Sequence, residues 1–258
     1  MHTLYHVRHG PKEGIRYDPA QRNMATEYGR DLAFSHKDSS IDARCSRTDL
    51  EPNYPGRTYE TAELVLIGAG MPYGSVPSYD DRLNSDFAPD LKKALGKEVS
   101  ERKITFFQAL FENDYEGLIN AAVENVECIE DFMLSSDADI GLNVGHEPVG
   151  TSGIVYILTR DYDLANHSTP FLKGTKVEKK DGVYIVTFDS ICYTVKIPES
   201  EGLANTARKN AEILLSEHQE KKASLDNIVQ SEINLKEQDS SELGGSETDE
   251  NGDGGSDE

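Results

Sequence analysis

Two apolar rhythms take turns along this chain. Short β-rich runs are followed by longer segments in which apolar residues recur every three or four positions, with glycines or charged clusters marking the changes. Residues 3–7, Thr-Leu-Tyr-His-Val, predict a first strand. Residues 25–36 then predict a helix with Thr26 as its candidate N-cap, Ile41–Cys45 a short second strand, and 56–68 a helix ended by the glycines around Ala69. Helical spacing returns over 103–113 and 116–134, the latter through Leu118, Ala122, Val126, Ile129 and Phe132. Residues 139–144 predict another strand that runs into Gly145-His146, and 150–158 a helix. Two β-rich runs within 177–197 flank Lys180-Asp181-Gly182, a hairpin-turn signal, and 205–220 predict a closing helix. Alternation of this kind predicts an α/β domain of three layers, α/β/α, with helices on both faces of a mostly parallel central sheet.

Charge changes the picture at the C-terminus. Lys and Arg number 26 against 47 Asp and Glu, a net −21, and residues 223–258 hold 11 of those acids with one lysine. That stretch is rich in Ser, Gly, Glu and Asp and has no aromatic residue, so it buries too little apolar surface to offset ordering entropy. The expected organisation is a domain over 1–222 and a disordered acidic tail over 223–258. An acidic chain repels polyanions, which excludes nucleic acid and anionic membranes as expected partners. No apolar run approaches the roughly 20 residues that span a bilayer, and the chain opens on a strand-like segment instead of a basic and then apolar leader. The expected location is cytoplasmic. Cys45, Cys128 and Cys192 are too scattered for a disulfide framework, and no histidine has metal-binding spacing, so neither metal nor cofactor is expected.

Three short motifs stand where apolar segments meet turns. Val7-Arg8-His9-Gly10 ends the first strand, where an open α/β sheet presents its ligand crevice. Gly56-Arg57-Thr58-Tyr59-Glu60-Thr61-Ala62 puts an arginine in the first turn of a helix. The unpaired N–H groups there favour an anion, and the arginine itself needs a negative partner at that end of the dipole. Asn143-Val144-Gly145-His146-Glu147-Pro148 places a second histidine at a strand end. Taken singly, each is an ordinary surface or core residue. Together they gather a cation-rich site on an acidic protein.

In order and in type, Arg8-His9-Gly10, the helix from Arg57 to Thr61-Ala62, and Gly145-His146 resemble the three motifs of the histidine phosphatase superfamily. Thr26-Glu27-Tyr28-Gly29-Arg30-Asp31-Leu32-Ala33 is similar to that family's Thr-x-x-Gly-x-x-x-Ala helix, so the likeness spans most of residues 3–160. His146-x-Pro148 resembles the short phosphohistidine phosphatase type more than the mutases. The resemblance implies a phosphoglycerate mutase-like fold and a metal-independent phosphatase acting on a phosphorylated small molecule or a phosphoprotein. In that scheme His9 attacks the phosphoryl group, Arg8 and Arg57 grip its oxygens, His146 stabilises their charge, and water then hydrolyses the phosphohistidine.

The leaving-group acid is where the chain departs from the family. The common Leu-x-Glu spacing falls on Ser85, which leaves Asp86, one position later, and Glu147, directly after His146, as candidate acids. A third alternative is that no strong acid exists, which suits a phosphohistidine substrate. After Gly10 the chain reads Pro11-Lys12-Glu13-Gly14, without the Glu-Thr common in mutase-like members. Two rival functions stay open: a mutase moving phosphate within one metabolite, and an inactive phosphate-binding module that recruits partners through the acidic tail.

Overall fold

The computed structural model describes residues 2–10, 12–13, 16–17, 22–47, 54–72, 75–83, 89–147 and 149–243. A seven-stranded sheet has the order β5-β4-β6-β1-β7-β8-β9. Its strands are β1 (Thr3–Arg8), β4 (Ile41–Cys45), β5 (Ser78–Tyr79), β6 (Ile140–Gly145), β7 (Gly174–Lys180), β8 (Val183–Phe188) and β9 (Tyr193–Pro198). A two-residue hairpin, β2 (Lys12–Glu13) with β3 (Arg16–Tyr17), forms a second small sheet.

Strands β1, β6, β4 and β5 pair in parallel, whereas β7, β8 and β9 are antiparallel to their neighbours. The sheet is therefore half parallel, where a mostly parallel one was expected. The reason lies in the connection after β6, which returns to the edge it left: Leu172 N donates to Arg8 O at 3.0 Å, and Gly174 pairs with Val7. Strand β7 thus starts where β1 ends and must run backwards beside it. The turn at Asp181-Gly182, with φ of 52° and 74°, then joins β7 to β8 as the sequence predicted.

Helices cover both faces. Val7 of β1, Ile41, Ala43 and Cys45 of β4, and Ile140, Leu142 and Val144 of β6 pack with Ala25 and Leu32 of α1 (Arg22–Ser35) and Ala62 and Val65 of α2 (Arg57–Gly68). Alternate strand residues must share a face, so Asn143 turns the other way, where it meets Cys128 of α5 (Tyr115–Ser135) at 3.8 Å. The glycine of the Thr-x-x-Gly stretch has a packing cause: a Cβ on Gly29 would lie 2.1 Å from Val65 O, so only glycine lets α1 press onto α2. Thr26, expected as an N-cap, sits inside α1, which begins at Arg22, and its hydroxyl donates to Asn23 O. The segment 103–113 is helical only from α4 (Phe106–Asn113), because Thr105 caps that helix by accepting from Gln108 N at 2.9 Å and Lys103 takes a left-handed φ of 56°. It follows α3 (Pro89–Arg102), and α6 (Ile154–Thr159) follows a π-helical turn over Val149–Gly153 and leads to α7 (Tyr162–Ala165).

The chain divides into two compact units, Met1–Ile213 and Leu214–Glu258. In the first, the Glu130 carboxylate accepts from Leu203 N and Ala204 N at 2.7 and 3.0 Å, satisfying N–H groups that the start of α8 (Leu203–Leu243) leaves without helical partners. In the second, residues 223–243 are helical where disorder was expected. Leu225, Ile228, Val229 and Ile233 recur there at helical spacing, and the residues between them are mostly tolerant of helix. Residues 244–258 lie outside the described residues. Among the described residues no helix is long and apolar enough to cross a membrane.

Candidate active site

The carboxyl ends of β1, β4 and β6 share one edge of the sheet. Register sets Arg8 opposite Gly145 and Cys45 opposite Val144, so the next residues, His9, Ser46 and His146, fall in a row. His9 N donates to Gly145 O at 3.0 Å and Ser46 N to Val144 O at 3.1 Å, continuing the ladder into the site. Both histidines are buried, and their rings meet edge to face with centroids 4.9 Å apart.

His9 is held in one protonation pattern. Its Nδ1 lies 2.6 Å from Gly10 O, and a carbonyl only accepts, so Nδ1 carries the proton and Nε2 keeps its lone pair. Arg57 Nη1 stands 3.3 Å from that Nε2. Burial is the largest cause holding His9 well below the usual imidazole pKa; His146, Arg57 and Arg8 push the same way and the Gly10 bond opposes them. The lone pair is thus present at neutral pH.

Arg57 owes its place to the residues around it. Gly56, at φ 92° and ψ 156°, adopts a conformation rarely open to side-chain-bearing residues, and α2 starts immediately after it. One turn on, the Thr61 hydroxyl donates to Arg57 O at 2.7 Å and accepts from Gly10 N at 3.1 Å. A single hydroxyl therefore joins the start of α2 to the residue after His9. The Thr58 hydroxyl donates to Ser46 O at 2.7 Å, while Glu60 accepts from the Tyr54 hydroxyl at 2.9 Å and pairs with Arg22. The motif pointed to Thr61 but not to its bond with Gly10, because a contact across 51 residues leaves no local periodicity to read.

Arg8 completes the row from the other face. Its Nη1 donates to Thr169 O at 2.5 Å and pairs with Glu147 Oε2 at 2.6 Å, and its guanidinium carbon lies 4.4 Å from the centre of the Phe171 ring. The Arg8 Nε is buried and has no acceptor among the described residues, as a donor reserved for an anion would be. Glu147 reaches the site but is engaged at both oxygens, since Oε1 accepts from Thr169 N at 2.9 Å. Asp86, the other candidate acid, lies outside the described residues, as does Pro148 of the His-x-Pro string. Asp80 is no proton donor: burial works to raise its pKa, but hydrogen bonds from Arg82 and Cys128 bring it down to about 2.

Beneath the row, His6 is fully buried, and neither ring nitrogen has a hydrogen-bond partner among the described residues. A Cβ on Gly145 or Gly150 would come 3.2 or 2.7 Å from His6 Nε2, so the turn that carries His146 is moulded over this ring. Among the described residues no group of three or more His, Cys, Asp or Glu side chains is placed to hold a metal ion. Chemically, the edge brings an imidazole lone pair on His9 together with two guanidinium groups, Arg57 facing it and Arg8 near enough to act on its charge.

No protein-family model matches this sequence. No curated protein matches it either. Among solved structures, a phosphoglycerate mutase from Bacillus anthracis is 18% identical with a TM-score of 0.49, over 81% of this chain and 96% of that one. A phosphoserine phosphatase from Entamoeba histolytica, solved with 3-phosphoglyceric acid, is 14% identical with a TM-score of 0.47, over 72% and 95%. A mycobacterial glucosyl-3-phosphoglycerate phosphatase is 13% identical with a TM-score of 0.44, over 69% and 93%.

Proposed function

We propose that this chain is a phosphatase of the histidine phosphatase superfamily, which hydrolyses a phosphomonoester or phosphohistidine through a covalent intermediate on His9. The observation that carries this reading is the fixed His9 ring, its Nδ1 turned to Gly10 O and its Nε2 facing Arg57. In the first step the Nε2 lone pair forms a bond to phosphorus while the bond to the leaving group breaks, and the departing atom takes the electron pair and then a proton. In the second step water attacks phosphorus and gives up a proton, the P–N bond breaks with its electron pair returning to His9 Nε2, and phosphate leaves. Arg8 and Arg57 offer planar donors to oxygens whose charge grows along the way, and His146, against the His9 ring, adds to that stabilisation. Phosphoryl transfer asks mainly for positioning and charge, which this edge supplies.

For the leaving-group proton this leaves Asp86, or no strong acid at all, because Glu147 is already engaged by Arg8 and Thr169. The test is hydrolysis of p-nitrophenyl phosphate by His9→Ala, which is expected to fall to the uncatalysed rate. Turnover at the normal rate by that variant would end the covalent reading.

A further inference from the structure

The segment between α7 and β7 closes onto Arg8 through a ring of three interactions. Glu147 Oε2 meets Arg8 Nη1, that same Nη1 donates to Thr169 O, and Thr169 N donates back to Glu147 Oε1. Backbone bonds on either side reinforce it, with Arg8 N donating to Lys173 O and Leu172 N to Arg8 O, each at 3.0 Å. Two residues beyond Thr169, the Phe171 ring lies against the Arg8 guanidinium, its centroid 6.1 Å from that of His9. The Glu147 side chain is 10% exposed and that of Arg8 22%, so the pair is largely shielded from competing water.

A proton donor needs an oxygen turned toward the departing group and a proton on it. Both Glu147 oxygens instead accept from protein donors, and those donors belong to the parts that must be aligned: the phosphate-gripping arginine and the segment that covers it. We propose that Glu147 is a positioning residue, clamping Arg8 to the 169–172 segment so that the guanidinium keeps its aim and Phe171 stays as an apolar wall beside His9. This role rests on the phosphatase reading for its kinetic consequence, though not for its geometry.

Two measurements test it. The first compares Glu147→Gln with the parent chain on p-nitrophenyl, phenyl and benzyl phosphate, whose leaving groups differ widely in basicity. A displaced arginine should lower kcat/KM by about 100-fold for all three alike, with the shape of the pH profile retained and partial rescue by Glu147→Asp. A missing general acid would spare p-nitrophenyl phosphate, cripple benzyl phosphate and remove the alkaline limb; that outcome overturns the proposal.

The second measurement needs no turnover. The chain has no tryptophan, so Phe171→Trp installs a single indole beside Arg8, which can be excited apart from the tyrosines. Adding Glu147→Gln should shift its emission to the red and raise quenching by iodide, and should weaken the response to orthovanadate. Unchanged emission and quenching would show that Glu147 does not hold the segment. If the parent chain cleaves none of the esters, the phosphatase reading fails while the emission comparison still decides the clamp.

Discussion

The two halves of the sheet do different work. In the parallel half, β1, β4 and β6 all end on the same edge, so the residues following them, His9, Ser46 and His146, arrive side by side, and α2 starts at that edge with Arg57. In the antiparallel half, successive strands end on opposite edges and are joined by short turns, so no comparable set of strand ends accumulates. Parallel pairing collects side chains from distant parts of the sequence, and antiparallel pairing disperses them. The seam between the halves is where β7 enters beside β1, and it brings Thr169 and Phe171 to Arg8.

The comparison breaks most visibly in the parallel half. Arg57→Ala removes a guanidinium facing His9 Nε2 and, on the proposed reading, should lower kcat/KM on an aryl phosphate by on the order of 100- to 1000-fold, with Arg57→Lys recovering only part because an ammonium lacks the planar fork. A loss below about tenfold would show that the arginine is not at the reacting group. In the antiparallel half, Phe188 is fully buried, and Phe188→Ala should cost about 3–5 kcal/mol of stability in urea unfolding. The kcat/KM of the folded variant should stay at the parent value. A large fall there would mean that the halves are not separable.

A smaller effect sharpens the picture of the parallel core. Burial pushes His6 down to about 3, against about 6.5 in an unfolded chain, so as pH falls the unfolded state takes up the proton first. The stability due to the neutral ring is therefore complete above pH 6.5 and is lost progressively toward pH 3. Unfolding in urea at pH 7 and pH 5 should differ by about 2 kcal/mol from this group alone, and His6→Leu should remove that part of the difference. An identical pH dependence in the variant would contradict a buried neutral ring. The smallest effect is expected at the C-terminus, where deletion of 225–258 should leave kcat/KM unchanged; a large loss would give that segment a part in catalysis.

Much of the parallel half was legible, because each motif sits at the junction of an apolar strand with a turn and local pattern finds such junctions. The strands that lead to His9 and His146 and the helix from Arg57 to Gly68 lie within a residue or two of their expected limits. The antiparallel attachment of β7 was not legible, since it follows from where residues 166–173 lead the chain and no periodicity records that. The contacts of Glu147 were hidden for a similar reason, its partners lying far off in sequence at Arg8 and Thr169. Helix α3 was missed although Pro89-Asp90 is a fair helix start, because its few apolar residues make a weak stripe.

The ring under the His146 turn also constrains how this chain can change over generations. Because a methyl group at position 150 would collide with His6 Nε2 at 2.7 Å, the two positions form a coupled pair. A side chain gained at 150 is accommodated only with a displaced or smaller residue 6, so the two positions are free to change together more readily than alone.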